Sequence, residues 1–153
     1  ISANGIGGDV ASINELNHYI GMEKLYSENF IEFTVLPYIL VFFALLTLFC
    51  AILRSRKLTL GSFILYGVFG IISLIDFYRW NYNYGHNLSP DAAIKIPGMS
   101  YQPPLIGFKQ LLNFGAYSMP SVGGILLLLA ALIFIFILIK EFDLLKYVSK
   151  KKR

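Results

Sequence analysis

Charge is scarce in this chain. Charged residues make up 14% of its 153 positions against 56% hydrophobic ones, whereas ordinary soluble domains carry about a quarter charged residues. A soluble fold of this length has too little interior to hide so much apolar surface. Cysteine is almost absent: Cys50 stands alone, so an intrachain disulfide, a CxxC pair and a CxxCH haem attachment are all excluded. Histidine occurs only as His18 and His86, neither inside a long apolar run, and haem held by two histidines within a bilayer is not expected. There is no glycine-rich phosphate loop, no GxSxG and no HExxH. No pair of acids lies inside an apolar run, as a pump would require. The first residues are Ile1-Ser2-Ala3-Asn4 without methionine, so a signal peptide or a fourth, N-terminal helix is expected ahead of them.

Apolar length is abundant. Three uncharged runs are present: Phe33 to Leu53, Leu58 to Ile75 and Val122 to Ile139. At about 1.5 Å per residue, 18 to 21 residues match a hydrocarbon core of about 30 Å. Pro37 is expected in the first turn of its helix, where a missing N–H is tolerated. Gly67, Gly70 and Ser73 form a ridge of small residues suited to close helix packing. The expected class is an all-α integral membrane protein with a structured extracytoplasmic cap. Its parts are an outer segment (1–32), a first span (33–53), a short loop (54–57), a second span (58–78), an outer loop (79–121), a third span (122–139) and a basic tail (140–153).

The net charge of +4 does not indicate nucleic acid, because the cations flank the apolar runs. Arg54, Arg56 and Lys57 separate the first two runs. Lys140, Lys146, Lys150, Lys151, Lys152 and Arg153 follow the third, and the remaining segments share only Lys24, Arg79, Lys95 and Lys109. The excess of cations places the 54–57 loop and the tail in the cytoplasm, with the tail against the lipid surface. The N-terminus and the 79–121 loop are then outside. Asp9 to Met22 reads as an amphipathic helix with Val10, Ile13, Leu16, Asn17 and Ile20 at helical spacing, ended by Gly21.

The outer loop opens on Phe77-Tyr78-Arg79-Trp80-Asn81-Tyr82-Asn83-Tyr84, an interfacial aromatic belt. Asp76 and Arg79, one turn apart, are expected to pair at the membrane edge. Pro90, Pro97, Pro103, Pro104 and Pro120 forbid a long helix across the loop, and Leu105 to Phe114 is read as a short interfacial helix. The loop is too apolar to be a disordered linker, so its own fold or a partner must cover it. Trp80, Tyr84, Pro97, Tyr101, Pro103 and Pro104 are candidate docking residues.

The imidazole and thioether groups are His18, Met22, His86, Met99 and Met119, and all five fall on the outer side. His18 and Met22 are at i, i+4, where helical side chains converge. Imidazole and thioether together suit Cu(I), which makes His18, Met22, His86 and Met99 a candidate metal set. Met99 and Met119 equally suit packing against aromatic rings. Asp76, Tyr78 or His86 would serve a quinol site near the interface, although no spacing singles one out. No constellation marks the chain as an enzyme in its own right.

Several strings carry a resemblance: Leu16-Asn17-His18-Tyr19-Ile20-Gly21-Met22, Asp76-Phe77-Tyr78-Arg79-Trp80, Tyr84-Gly85-His86-Asn87-Leu88, and the stretch from Ile94 through Pro97-Gly98-Met99-Ser100-Tyr101-Gln102-Pro103-Pro104 to Gly107. Together they resemble the NosB-like small membrane proteins encoded beside nitrous oxide reductase in clade II, Bacteroidota-type gene clusters, and related copper-insertion accessory proteins. The resemblance covers the outer segments and runs into all three spans. It implies a bacterial inner (cytoplasmic) membrane protein beside a periplasmic copper enzyme. The role is either to help load copper or to tether the enzyme and pass it quinol-derived electrons. The alternative is an anchor, electron-transfer or structural subunit of a larger respiratory complex without its own metal. Members of the family often have one more N-terminal hydrophobic helix. No ligand set comes with the resemblance.

The orientation has a direct test. A periplasm-active phosphatase fused after Ser121 is expected to be active, and one fused after Lys57 inactive; the reverse pattern would invert the topology.

Overall fold

A computed structural model describes residues 1–111 and 113–143. The elements are α1 (Val10–Ile20), α2 (Glu32–Leu53), α3 (Arg56–His86), β1 (Gly107–Leu111), β2 (Phe114–Ser118) and α4 (Val122–Glu141), with a 3-10 turn at Ser27–Asn29. The chain divides into two units. One is Ile1–Pro37 with Ser73–Ser121, and the other is Tyr38–Ile72 with the chain from Val122 onward. Lys146, Lys150, Lys151, Lys152 and Arg153 of the basic tail lie outside the described residues.

Helices α2, α3 and α4 are each long and apolar enough to cross a membrane, and at most 11% of the residues in each apolar stretch are buried by the rest of the chain. Surfaces of that kind require a hydrocarbon surround. Pro37 falls in the second turn of α2 rather than the first, so the carbonyl of Phe33 loses its helical donor.

In the second unit, aromatic packing joins the helices. Phe43 meets Tyr66 edge-on with centroids 5.2 Å apart and Phe69 at 5.3 Å. Phe134 of α4 lies 5.8 Å from Tyr66. Such pairs contribute roughly 0.5–1.5 kcal/mol each beyond their buried area. The Tyr66 hydroxyl donates to the carbonyl of Leu127 at 2.8 Å. Arg56 and Glu141 pair at 3.2 Å; both are exposed, and such a pair is worth about 0–1 kcal/mol. The pair nonetheless sets the start of α3 and the end of α4 at one end of this unit, as the charge pattern requires of Arg54–Lys57 and Lys140. The ridge expected to pack closely does not do so here: a side chain added at Gly67 or Gly70 would meet nothing within 4 Å. Helix α2 closes on Arg54, whose φ of 49° is a left-handed conformation that costs a non-glycine residue about 1–2 kcal/mol.

The first unit is the cap, and it corrects the sequence reading at three points. The second apolar helix does not stop near Tyr78 but runs to His86, because no breaker occurs before Pro90 and the chain packs around its last turns. The loop therefore begins eight residues later than expected. The region read as a short helix is an antiparallel hairpin, with Phe108 opposite Tyr117 and Leu111 opposite Phe114, so the fold is not strictly all-α. Gly107 at φ +93° starts the hairpin, and the Phe108 ring lies over Gly115, where a Cβ would collide with it; an aromatic ring covering a strand glycine stabilises such a ladder. Alternation then puts Leu111 and Phe114 inward, with Phe108 and Tyr117 outward. Lastly, Asp76 and Arg79 are exposed on α3 and form no ion pair; Arg56–Glu141 is the ion pair found among the described residues.

Helix α1 forms as expected, with the Asp9 carboxylate accepting from the N–H of Ser12 and Gly21 closing it at φ +79°. The face that it buries carries Asn17 and Ile20, whereas Ile13 and Leu16 stay exposed. Gly85 in α3 is pressed against Gln102, and the N–H of Tyr101 donates to the carbonyl of Gly85 at 2.9 Å.

Gly85 and Gly67 make a matched pair for mutation. Replacing a glycine in a helix interior, as at Gly67, by alanine gains up to about 1 kcal/mol of helix propensity, and less is gained at Gly85, one residue from the end of α3. At Gly85 the new methyl would strike the Gln102 backbone, and overpacking costs about 1–3 kcal/mol. Gly85→Ala is therefore expected to lower the unfolding temperature in detergent, and Gly67→Ala to leave it unchanged or raise it. Equal behaviour of the two variants would refute the close approach.

Candidate functional site

The cap is organised by two asparagines of α1. Asn14 accepts from the N–H of Leu25 at 2.7 Å and donates to the Leu25 carbonyl at 3.1 Å, so its amide acts as a short length of strand for the returning chain. Asn17, only 5% exposed, donates to the carbonyl of Glu23 at 3.1 Å and to the hydroxyl of Tyr84 at 2.5 Å. The second bond ties α1 to α3. Backbone bonds extend the junction: Ser89 N–H donates to Gly21 at 2.7 Å, and Ile94 N–H to Tyr19 at 2.9 Å. Gly21 is needed there on two counts. It holds a positive φ, and a Cβ would sit 2.8 Å from that of Ala92.

Inside this frame Ile20, Met22, Tyr84 and Tyr101 form the buried cluster, with Leu25, Trp80, Leu88 and Phe114 against it. The rings of Phe77, Trp80 and Tyr84 stack along one face of α3, with centroids 6.0 and 4.9 Å apart. Two polar atoms in the cap, Asn81 Oδ1 and the hydroxyl of Tyr101, are buried without a hydrogen-bond partner among the described residues.

Of the candidate docking residues, Tyr84 and Tyr101 are core, and Tyr101 is 1% exposed. A partner cannot reach them while the cap is folded. Trp80, Pro103 and Pro104 are half-buried and Pro97 is exposed. The sequence reading missed one open aromatic surface: the outer hairpin face, where Phe108 is 64% and Tyr117 70% exposed. Its signal was the alternation from Phe108 to Tyr117 about a short connection.

The candidate metal ligands sit in different settings. His18 is exposed on α1. The i, i+4 relation to Met22 is broken, because Gly21 turns the chain and Met22 enters the core at 6% exposure. Met99 is exposed in the loop. Among the described residues, no group of three or more His, Cys, Asp or Glu converges on a metal position. His86, exposed at the end of α3, is the best prepared of the four. Its ring stacks on Tyr82 with centroids 3.9 Å apart, and its Nδ1 lies 2.8 Å from the Tyr82 carbonyl. A carbonyl only accepts, so Nδ1 carries the proton and a neutral ring keeps the Nε2 lone pair, the arrangement that metal-binding imidazoles use. An open cavity of about 370 Å³ is lined by Gly21, Met22, Glu23, Asn87, Leu88 and Ser89, and His86 is not among its lining residues. Met22 is the one candidate ligand that lines it.

No protein-family model matches the chain, and no curated protein or solved structure matches it either.

The cap core makes two opposite demands on mutation. Asn17→Ala leaves the Tyr84 hydroxyl and the Glu23 carbonyl without their partner, at about 1–3 kcal/mol for each buried group, and should lower the unfolding temperature markedly. Tyr101→Phe removes a buried hydroxyl that has no protein partner, so thermal stability should hold or rise. A large loss in the second variant would mean that this hydroxyl is bonded within the cap.

Proposed function

We propose that this chain is a membrane-embedded, non-catalytic accessory subunit that docks an extramembrane partner on its cap. The carrying observation is the outer hairpin face, with Phe108 and Tyr117 paired across the ladder and both open. Exposed aromatic pairs on a rigid support are the residues that dominate protein interfaces. The side chains beneath the face, Leu111 and Phe114, belong to the cap interior, so little order has to be gained on binding. The resemblance to the NosB-like proteins supplies the partner's class: a periplasmic copper-dependent reductase of the nitrous oxide reductase type. The distribution of Arg54, Arg56, Lys57 and Lys140 supports a cap on the periplasmic side of the inner membrane.

A second reading, that the chain itself handles Cu(I) for that partner, draws on the free Nε2 of His86 and, separately, on the cavity lined by Met22 and Glu23. It differs from pure anchoring by metal content alone.

One experiment addresses both readings. The tagged full chain is recovered from native membranes in mild detergent, and co-eluting protein and copper are measured. A copper reductase is expected to co-elute, and Phe108→Asp with Tyr117→Asp should reduce it at least tenfold while the chain stays in the membrane fraction. Undiminished recovery of the partner would overturn docking through the hairpin. Copper that remains on the isolated chain and falls in His86→Ala would establish the second reading.

A further inference from the structure

Between α2 and α4, wholly within the second unit, lies a groove of about 520 Å³. Ala51, Ala130, Ile133, Phe134 and Ile137 form its apolar walls, and Arg54 and Glu141 stand at one end. From Ala130 to Glu141 it follows α4 for about 16 Å.

The polar groups along the groove are already engaged. Thr47 Oγ1 donates to its own helix, with the carbonyls of Phe43 and Ala44 both at 2.9 Å. Thr59 Oγ1 donates to the Ser55 carbonyl at 3.1 Å. Ser62 Oγ spends its one proton on the Leu58 carbonyl at 2.9 Å, so the Cys50 thiol is the donor in the 3.1 Å contact with Ser62. Glu141 is held by Arg56. Nothing inside the groove asks for a polar ligand. Arg54 differs: its guanidinium is exposed and has no hydrogen-bond or ion-pair partner among the described residues, and its backbone is held in a left-handed conformation. A strained residue retained at the mouth of a cavity is a pointer to function.

We infer that this groove is a binding site for an anionic phospholipid, with one acyl chain along the apolar wall between α2 and α4 and the headgroup phosphate on Arg54. A basic mouth on an apolar interhelical groove is the pattern that selects such headgroups, and guanidinium matches phosphate geometry. A quinone fits less well, because Arg54 at one end is the free donor of the groove lining and the two ring carbonyls point in opposite directions, so one of them would go unbonded. The inference rests on the three helices spanning a membrane, and not on the docking reading.

The test uses the full chain reconstituted in nanodiscs and purified in mild detergent, with retained lipid measured by mass spectrometry. Phosphatidylglycerol is expected to be retained at about one per chain and at least fivefold over phosphatidylcholine of the same chain length. Arg54→Gly removes the guanidinium while favouring the left-handed backbone, so it keeps the fold; it should abolish that preference. Ala130→Trp should reduce retention of both lipids by obstructing the wall. Glycerol phosphate, which has the headgroup charge without chains, should not compete at equal concentration. Equal retention of the two lipids, an unchanged preference in Arg54→Gly, competition by glycerol phosphate or co-purification of a quinone instead would each overturn the proposal. If the chain does not enter the membrane fraction at all, the membrane reading itself falls.

Discussion

A helix of 31 residues is about 46 Å long, some 16 Å more than a hydrocarbon core of about 30 Å. The surplus turns of α3 must be hydrated or covered by the chain itself. Their composition decides for covering: Trp80, Asn81, Tyr84 and Gly85 share one side of the helix, and Asn81 and Tyr84 are buried. The N-terminal segment and the 87–121 loop converge on that side. The N-terminal segment arrives through Asn17 and Gly21, and the loop through Tyr101 and the hairpin. Gly85 sets how closely they pack, since no side chain fits between it and Gln102. The open hairpin face follows from the same arrangement, because Leu111 and Phe114 turn inward and alternation leaves Phe108 and Tyr117 outside.

The two units handle polar groups in opposite ways. Along the apolar helices, Thr47, Thr59 and Ser62 return their hydroxyls to carbonyls of the preceding turn, which is how a helix keeps polar side chains in an apolar surround. In the cap, the Asn14 amide stands in for backbone toward Leu25, and the Asn17 amide joins α1 to Tyr84, 67 residues further on. The first habit gives helices whose flanks accept whatever apolar matter lies against them. The second gives a defined tertiary structure whose integrity hangs on a few amides.

Much of this was legible in the sequence, and unevenly so. The three apolar helices announce themselves because each is a continuous uncharged run and membrane thickness fixes the length needed. Helix α1 was legible from Asp9 and Gly21 at its ends. The extension of α3 was not, because Tyr82-Asn83-Tyr84-Gly85 has poor helix propensity and its order comes from tertiary contact. The recurrence of Phe77, Trp80 or Asn81, Tyr84 and Leu88 at helical spacing was the available signal. The hairpin was hidden by reading Leu105 to Phe114 as a short helix, although Gly107 and Gly115 in and beside it disfavour one. Counting soft ligands assembled a metal set on paper. The turn at Gly21 ends the helical spacing of His18 and Met22, since such spacing holds only as far as the helix lasts.

The cap is discontinuous in sequence, and this bears on biogenesis. Asn17 and Tyr84 are 67 positions apart, with the first apolar helix and most of the second between them. At about 5–20 residues per second, the N-terminal segment emerges several seconds before the surface it folds upon. During that interval Ile20 and Met22 lack the Tyr84 and Tyr101 part of their cluster and Asn17 lacks its bond to Tyr84, and α1, at 11 residues, is too short to persist alone in water. Formation of the cap therefore reports that the second helix has been delivered to the same side as the N-terminus. A chain inserted with one helix missing or reversed would display an unfolded N-terminal segment, which a protease could recognise as a marker of failed insertion.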